Sequence, residues 1–326
     1  MKPPDITVII PTFNRPNSLK RAVDSLFRQT YRSTGFELII VDNSPDASAS
    51  EMVEALKQTC PVGIKLIALH APEPGVSNAR NCALEQVKTQ LVAFLDDDQS
   101  APENWLKYLL AAYQQSPAIL TFGPVATKLP ESIEQHRAYY EHFFAREPEH
   151  ETGYIDGYYG CGNAMLDLAA FGDVRPRFDP KMNQTGGEDD LLFREFKNMP
   201  NNYAWAEDAH VYEHPLPKRI TLTYTLRRAF SYGQAPVTIA FFNSPPHYLT
   251  MLKWIGIGAV KSLAYAAKWL GMLLIRHPRR VFALDQSIRG LGKVIWFLDF
   301  QAYGTASMTL GQPKLAWIKH PGTQQT

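Results

Sequence analysis

Between residues 6 and 115, short apolar runs alternate with segments in which apolar residues recur every three or four positions. The runs Ile6–Ile10, Glu37–Val41, Ile64–Leu69 and Leu91–Leu95 are too short for helices and predict buried strands. The segments between them predict helices that pack on the sheet. Strands that alternate with helices are typical of an α/β fold with a mostly parallel sheet and right-handed crossovers.

The following part of the chain is less regular. Residues 128–152 carry Glu, His, Tyr and Arg without a clear period, and we interpret them as a helix and a loop over the ligand cleft. The runs Tyr203–Ala206 and Val211–Tyr212 predict an edge strand or a hairpin. Upstream, Ser77 is a plausible N-cap for the helix that follows Gly75.

Polar residues directly follow three of the predicted strands, at their carboxyl ends. Thr12 and Asn14 come after the first strand, Asp42 and Asn43 after the second, and Asp96–Asp98 after the fourth. Because the carboxyl ends of parallel strands share one edge of a sheet, we expect these side chains to line one cleft. Each residue alone also fits an Asx turn, a helix cap or a surface ion pair. The convergence of the whole set favours a ligand site.

Asp96, Asp97 and Asp98 place three carboxylates side by side at the end of an apolar strand. Carboxylates this close repel one another unless a cation lies among them. Because Mg²⁺ binds one or two carboxylates and completes its shell with phosphate oxygens and water, the run predicts a Mg²⁺ or Mn²⁺ site for a substrate phosphate. Arg80 would add a fixed positive charge to the phosphates. An acidic loop that caps the next helix is the alternative interpretation.

Several function classes lack their sequence signals. No strand is followed by Gly-x-x-x-x-Gly-Lys or Gly-x-Gly-x-x-Gly, so neither a phosphate-loop NTPase nor a dinucleotide-binding protein is indicated. Cys60, Cys82 and Cys161 have no paired spacing, so neither a disulfide framework nor a zinc site is indicated. They fit a reducing cytoplasm. The formal net charge is +1, and we expect no nucleic-acid partner.

The charge is unevenly divided along the chain. From Pro215 onward, 14 Lys and Arg residues stand against two acids, which gives +12. The other 19 basic and 30 acidic residues lie in 1–214, which gives −11. We therefore predict a catalytic domain over 1–215 and a helical, basic and hydrophobic region over 216–326. Such a region favours contact with an anionic surface.

The segment Tyr248–Ile275 is strongly apolar but is interrupted by Lys253, Lys261 and Lys268. On a helix these lysines lie within about 80° of one another. The longest part without lysine, Trp269–Ile275, is too short to cross a bilayer. This pattern is typical of a helix that lies in the membrane interface. A soluble helix that covers the catalytic domain and a tilted membrane span are the alternatives.

Four motifs together resemble family 2 glycosyltransferases, which have the GT-A fold. They are, in order, Ile6–Arg15 (ITVIIPTFNR), Val41–Ser44 (VDNS), Pro74–Asn81 (PGVSNARN) and Phe94–Asp98 (FLDDD). The resemblance covers roughly residues 5–232. It implies an inverting, metal-dependent enzyme that moves a sugar from a nucleotide-diphosphate donor, a UDP-sugar in our expectation, to a saccharide or lipid-linked acceptor.

Two later motifs resemble the acceptor side of the same family. Gly160–Leu166 resembles its glycine-asparagine strand, and Gly186–Phe193 resembles the loop and helix that carry its general base. By that match Asp189 is the base, and Glu188 or Asp190 orients the acceptor or the loop. In the family another residue often separates this Asp from the next acid, whereas Asp190 follows directly here. Acids in the first turn of a helix are also favoured by the helix dipole alone.

The resemblance and the residue pattern together assign a complete site. The expected catalytic residues are Asp189 and Glu188. The expected metal ligands are Asp98, Asp96 and His214. The expected substrate-binding residues, among which Asp42 would contact the base, are Pro11, Thr12, Asn14, Asp42, Asn43, Arg80, Asp96, Asp97, Gly162, Asn163 and Asp190.

The segment Arg219–Gly233 resembles the one that follows the catalytic domain in succinoglycan-type glucosyltransferases, which build exopolysaccharide repeat units on a lipid carrier. We therefore expect peripheral or monotopic association with the cytoplasmic face of the inner membrane. Two rival functions would use a similar cleft. A sugar-1-phosphate nucleotidyltransferase would release pyrophosphate, and a non-catalytic nucleotide-sugar-binding protein would transfer nothing. The intact pair Glu188–Asp189 argues against the second.

Overall fold

The computed structural model describes residues 6–31, 35–172, 174–183, 186–242 and 245–298. The chain divides into two compact units, Met1–Lys128 with Phe144–Pro215 and Leu129–Phe143 with Leu216–Thr326. The segment 129–143, which the predicted domain limits assign to the catalytic domain, therefore belongs to the second unit. The part of the predicted C-terminal region beyond residue 298 lies outside the described residues.

The strands form two sheets. They are β1 (Ile6–Thr12), β2 (Phe36–Asp42), β3 (Ile64–His70), β4 (Leu91–Phe94), β5 (Gln99–Ser100), β6 (Leu120–Phe122), β7 (Val125–Thr127), β8 (Gly153–Tyr154), β9 (Ala164–Asp167), β10 (Tyr203–Trp205) and β11 (Val211–Glu213). The large sheet has the order β3-β2-β1-β4-β9-β6-β10-β8, and the small sheet has the order β5-β11-β7.

Some helices pack on the large sheet, and the others build the second unit. They are α1 (Pro16–Phe27), α2 (Ser50–Gln58), α3 (Val76–Leu84), α4 (Trp105–Gln115), α5 (Arg137–Phe144), α6 (Glu188–Glu195), α7 (Leu222–Phe242), α8 (Tyr248–Leu274) and α9 (Arg280–Val294). The predicted α/β fold with a mostly parallel sheet and C-terminal helices is confirmed.

The first four strands are parallel neighbours, as their apolar runs predict. β1 pairs with β2 on one side and β4 on the other, and β2 pairs with β3. Both faces of β1, β2 and β4 are buried, whereas β3, at the edge of the sheet, is only partly buried. Val8 and Ile10 pack in a core with α1 and α4, whereas Ile9 and Val41 pack in a core with α3 and α6. Burial on both faces explains why β1, β2 and β4 appear in the sequence as nearly continuous apolar runs.

Strands are present at both runs predicted within 203–212, but their prediction as an edge strand or a hairpin is wrong. β10 is parallel to β6 and antiparallel to β8 within the large sheet. β11 lies between β5 and β7 in the small sheet. The two segments therefore pair with strands that are distant in the chain, and local spacing carries no information on such partners.

The predicted N-cap at Ser77 is also wrong. Gly75, with φ +150°, precedes α3 at the N-cap position. The Ser77 hydroxyl instead donates to the carbonyl oxygen of Asp179 at 3.0 Å, and its backbone N–H donates to Asn183 Oδ1 at 2.9 Å. Ser77 therefore attaches α3 to the segment before α6.

The second unit is built from long helices in close contact. A Cβ placed on Gly258 of α8 would lie 2.8 Å from the carbonyl oxygen of Gly290 in α9, so only glycine permits this approach. The helix predicted within 128–152 is α5, whose Tyr139 hydroxyl donates to Asp285 at 3.1 Å. Of the helices in the described ranges, none combines the length and hydrophobicity that a membrane crossing requires.

Candidate functional site

The register of the large sheet places the ends of three strands together. Thr12 of β1 lies opposite Asp42 of β2, and Ile9 of β1 lies opposite Phe94 of β4. Beyond Phe94, Asp96–Asp98 therefore lie next to the end of β1. The antiparallel strand β9 begins on the other side of β4, since the Asn163 N–H donates to the carbonyl oxygen of Phe94 at 3.1 Å.

Asp97 ties the end of β4 to the end of β1. Its carboxylate accepts hydrogen bonds from the Thr12 hydroxyl at 2.8 Å and from Arg15 Nη1 at 3.0 Å. Burial raises the pKa of Asp97 to about 6, against the opposing effect of the Arg15 charge. The same Arg15 nitrogen lies 3.2 Å from Asp98 Oδ2. Arg15 thus neutralises part of the charge of this acidic run.

Arg80 joins the acidic run to the start of α6. Its Nη1 donates to Glu188 Oε1 at 2.5 Å, and its Nη2 donates to Asp96 Oδ1 at 3.3 Å. Arg80 and Glu188 are buried, whereas the Asp96 side chain is 36% exposed. Both terminal nitrogens of Arg80, the expected phosphate ligand, therefore donate to carboxylates of the protein.

The carboxylates of Asp189 and Asp190 have different surroundings. Asp189 Oδ2 accepts the backbone N–H of Cys161 at 2.9 Å, so this carboxylate is directed at the segment before β9. Asp190 is exposed, and its Oδ1 accepts the Tyr158 hydroxyl at 2.9 Å. Of the two acids, Asp189 is the one oriented by backbone within the site.

The glycines before β9 lie directly beside two carboxylates. A Cβ on Gly162 would lie 2.4 Å from Asp96 Oδ2, and a Cβ on Gly160 would lie 3.2 Å from Asp189 Oδ2. The absence of a side chain at these positions lets the protein's own acids approach the backbone.

Asn163 is fully engaged in internal hydrogen bonds. Its Oδ1 accepts the Trp105 indole N–H at 2.7 Å, and its Nδ2 donates at 2.8 Å to the carbonyl oxygens of Pro124 and Ala209. It is buried and has φ +67°. These contacts join β9 to α4 and to the chain before β7 and β11, and they leave the predicted substrate-binding residue facing the protein interior.

Asn163→Ala is expected to lower the free energy of unfolding by about 2–4 kcal/mol, because one buried donor and two buried acceptors lose their partner. Urea unfolding of the full chain measures this loss. The matched control is Asn78→Ala, since Asn78 makes one exposed bond of 3.2 Å to the carbonyl oxygen of Glu73. That control should stay within about 0.5 kcal/mol of the wild type. Equal stability of both variants would contradict the structural role of Asn163.

The polar residues after β2 also have internal partners. Asp42 is buried, and its carboxylate accepts both the N–H and the hydroxyl of Ser44 and, at 2.6 Å, the N–H of Ala49. Asn43 donates to the carbonyl oxygens of Ala71 and Glu73 at 2.7 Å. These residues shape the loops that border the edge of the sheet.

The remaining residues predicted at the end of β1 differ in exposure. Asn14 is exposed, with φ +53°, and Pro11 is partly buried within β1. Thr12 is buried, and its hydroxyl is used by Asp97. Of the predicted substrate-binding residues at this strand end, Asn14 therefore presents the most accessible polar side chain.

His214 lies beside Asp98 through the backbone, since its N–H donates to the carbonyl oxygen of Asp98 at 2.8 Å. Its ring Nε2 is 2.8 Å from the Ser100 hydroxyl. Burial and the nearby charges of Arg21 and Lys128 lower the pKa of His214 to about 4. The ring is therefore neutral near pH 7, as a metal ligand must be.

The site has the charge for a divalent cation but not a complete protein ligand set. Carboxylates outnumber guanidinium groups here, so the site has a net negative charge; these residues are Asp96, Asp97, Asp98, Glu188 and Asp189 with Arg15, Arg80 and Arg146. Within the described ranges, no three His, Cys, Asp or Glu side chains lie close enough to hold a metal. These residues fit an ion that takes one or two carboxylates and shares the substrate's phosphates.

Sequence reasoning missed three residues of the site. Arg15 pairs with Asp97 and Asp98. It is the last residue of the first motif, but no role was predicted for it from the sequence. Gln99 accepts the Asp96 N–H at 3.1 Å, and its place after the acidic run was the available signal. Arg146 contacts the segment before β9, and nothing in the irregular stretch 128–152 distinguished it.

Comparison with known sequences gives a family and several relatives. A model of the family "Glycosyl transferase family 2" matches residues 7–175. The succinoglycan biosynthesis protein ExoM of Rhizobium meliloti (strain 1021) is 29% identical over 231 residues, which are 70% of this chain and 73% of ExoM. The glycosyltransferase AglE of Haloferax volcanii is 28% identical over 39% of this chain and 41% of its own length.

Two solved structures are similar in fold. The mannosyltransferase PcManGT from Pyrobaculum calidifontis, in complex with GDP-Man and Mn²⁺, has a TM-score of 0.59 and covers 91% of this chain and 88% of its own. TarS residues 1–349 from S. aureus has a TM-score of 0.50 and covers 90% of both chains. Both are 18% identical to this chain, so the likeness concerns the fold.

Proposed function

The chain belongs to glycosyl transferase family 2, and on that premise we propose that it is an inverting, metal-dependent enzyme that transfers a sugar from a UDP-sugar to a saccharide or lipid-linked acceptor. Its membership makes it a glycosyltransferase, and its fold is GT-A. The observation that carries the finer proposal is the meeting of Asp96 and Asp189 at the Gly160–Gly162 segment, since it joins the acidic run to the start of α6.

The donor side is assigned to the ends of β1, β2 and β4. The net negative charge of the site, whose acidic run includes Asp96 and Asp98, supports a Mg²⁺ or Mn²⁺ ion, and the structural relative PcManGT is described with GDP-Man and Mn²⁺. When bound, such an ion neutralises charge that develops on the leaving diphosphate. Asn14 would contact the donor from the end of β1, and Asp42 and Asn43 would shape the base pocket through the loops that they hold.

The acceptor side is assigned to α6 and the segment before β9. The acceptor hydroxyl attacks the anomeric carbon, Asp189 takes its proton, and the bond to the diphosphate oxygen breaks with its electron pair on the diphosphate. The Cys161 N–H supports this role, because it orients the Asp189 carboxylate. Glu188 would keep α6 in place through Arg80. ExoM is named for succinoglycan biosynthesis, which supports a saccharide acceptor in exopolysaccharide synthesis.

The test is product analysis with a panel of UDP-sugars and GDP-sugars, with Mn²⁺ or Mg²⁺, and with lipid-linked and free saccharides as acceptors. The proposal expects one donor to release its nucleoside diphosphate together with a glycosylated acceptor of inverted anomeric configuration. Retention of configuration would contradict the inverting mechanism. Release of pyrophosphate from a sugar phosphate and a nucleoside triphosphate would favour a nucleotidyltransferase. Binding of a donor with neither product would favour a sensor.

The second unit supports contact with an anionic membrane at the cytoplasmic face. One face of α8 packs on α9 through Gly258, whereas the opposite face exposes apolar side chains every three or four residues. Leu249, Leu263 and Leu274 are 85%, 73% and 86% exposed. Lysines flank this stripe, which is the pattern of a helix that lies in the membrane interface.

Leu263→Glu combined with Leu270→Glu is expected to weaken binding to vesicles with about 30% anionic lipid by about 100-fold or more, since each buried leucine contributes about 1.5–3 kcal/mol. Vesicle co-sedimentation measures the binding. The matched control is Val62→Glu, which changes an apolar residue that is 90% exposed in the first unit. Equal binding of the double variant and the wild type would contradict the assignment of this face to the membrane.

A further inference from the structure

Arg146 holds the backbone turn that orients Asp189. Its Nη1 donates to the carbonyl oxygen of Gly160 at 3.1 Å, and its Nη2 donates to that of Gly162. These two carbonyls flank Cys161, whose N–H donates to Asp189 Oδ2. The guanidinium therefore holds the carbonyl oxygen of the Gly160–Cys161 peptide, whose N–H contacts the carboxylate, and also the carbonyl oxygen of Gly162.

The side chain starts from a fixed point of the backbone. Arg146 and Val125 exchange two backbone hydrogen bonds of 2.8 and 2.9 Å, which attach Arg146 to β7. A Cβ on Gly160 would lie 3.0 Å from Arg146 Nη1 and 3.2 Å from Asp189 Oδ2. The guanidinium and the carboxylate thus approach the same glycine, and a Cβ at this position would be in tight contact with both.

Stabilisation of the fold does not by itself explain why a charged residue is buried at position 146. In the described part of the chain its hydrogen-bond partners are two neutral carbonyls, and its buried Nε has none. A guanidinium that loses water without a paired carboxylate costs free energy. Burial lowers the pKa of Arg146, and the charges that oppose this most are those of Asp96 and Asp189. The cation is therefore placed where two site carboxylates benefit from it.

We propose that Arg146 is a positioning residue of the transfer reaction, which orders the Gly160–Gly162 turn so that the Cys161 N–H holds Asp189 towards the acceptor. This inference rests on the proposed function, because it takes Asp189 as the base. It assigns a role to a residue outside the family motifs. Lysine cannot replace it, because one ammonium group does not reproduce the planar fork that reaches two carbonyls.

The test compares Arg146→Lys and Arg146→Met with the wild type in the full chain. The first readout is backbone hydrogen exchange over Gly160–Gly162, which needs no donor or acceptor. Exchange at Cys161 should become at least 10-fold faster in both variants, while exchange in β1 and β4 stays unchanged. Unchanged exchange at Cys161 would overturn the proposal, and so would faster exchange across the whole sheet.

The second readout is the division of the effect between kcat and KM. Both variants should lower kcat by about 30- to 100-fold, and the KM for the donor and the affinity for UDP–Mn²⁺ should change less than twofold. In a third variant, Arg146→Ala, added guanidinium ion should restore part of kcat, whereas the kcat of the wild type should not increase. The matched control is Arg177→Met, which alters an exposed arginine paired with Glu85.

The outcomes separate this inference from the proposed function. Wild-type kcat in Arg146→Lys, or an equal loss of kcat and nucleotide affinity, would overturn the positioning role even if transfer occurs. A wild type that releases no nucleoside diphosphate from any donor would refute the proposed function. In that case the exchange at Cys161 still decides whether Arg146 orders the turn.

Discussion

Asp189→Asn is expected to lower kcat by about 10²- to 10⁴-fold, because the acceptor hydroxyl loses the group that takes its proton. The amide keeps the shape of the carboxylate, and its oxygen can still accept the Cys161 N–H. Only the exposed bond from the Asp190 N–H to Asp189 Oδ1 is lost. Folding and the affinity for nucleotide with metal should therefore be close to wild type. Initial rates of nucleoside diphosphate release and calorimetric titration with UDP–Mn²⁺ measure the two quantities.

Asp190→Asn is the matched control for this prediction. Asp190 is the next residue, but its carboxylate is exposed and accepts the Tyr158 hydroxyl. Its kcat should fall less than about threefold, since no proton transfer is assigned to it. If Asp190→Asn is inactive and Asp189→Asn is active, the general base must be assigned to Asp190 instead. Loss of nucleotide binding in a folded Asp189→Asn would remove the base assignment altogether.

Arg80→Met is expected to lower the free energy of unfolding by about 3–5 kcal/mol, the range for breaking a buried ion pair from one side. The variant leaves Glu188 buried without its cation and removes the 3.3 Å contact to Asp96. Urea unfolding of the full chain measures the loss. The double variant Arg80→Met with Glu188→Gln should recover much of it, because the uncompensated charge is gone.

Arg177→Met provides the control for the buried pair. Arg177 lies 3.1 Å from Glu85, and the two side chains are 67% and 56% exposed. An exposed pair contributes about 0–1 kcal/mol, so this change should be nearly silent. A loss in Arg80→Met no larger than in Arg177→Met would contradict the view that Arg80 holds α6 to the acidic run.

The sheet and the position of the acidic run at a strand end were predictable for a simple physical reason. Strands such as Ile6–Ile10 are buried on both faces, so they leave continuous apolar runs in the sequence. Where such a run stops at a carboxylate, as at Asp96, the charge must lie at the end of a strand. The position of the acidic run, and the edge of the sheet on which it lies, therefore follow from the point at which the apolar run ends.

The partners of the polar residues were not predictable from the same pattern. Asp42, Asn43 and Asn163 occupy the expected positions, but their polar atoms are bound to nearby backbone and to the Trp105 indole. A sequence pattern tells where a polar residue lies, not which group its atoms meet. Arg146 shows the same limit, because its contacts to Gly160 and Gly162 depend on how the chain returns to the site after β7.

The most direct test of the donor site is the thermal stability of the full chain with UDP or GDP, with Mn²⁺ or with EDTA. A nucleotide at a hundred times its dissociation constant adds about 2.7 kcal/mol to the free energy of unfolding. We expect this gain for one nucleotide with Mn²⁺, its loss with EDTA and in Asp98→Asn, and its retention in Asp189→Asn. An equal gain with EDTA, or in Asp98→Asn, would contradict the assignment of the acidic run to a metal-bound donor diphosphate.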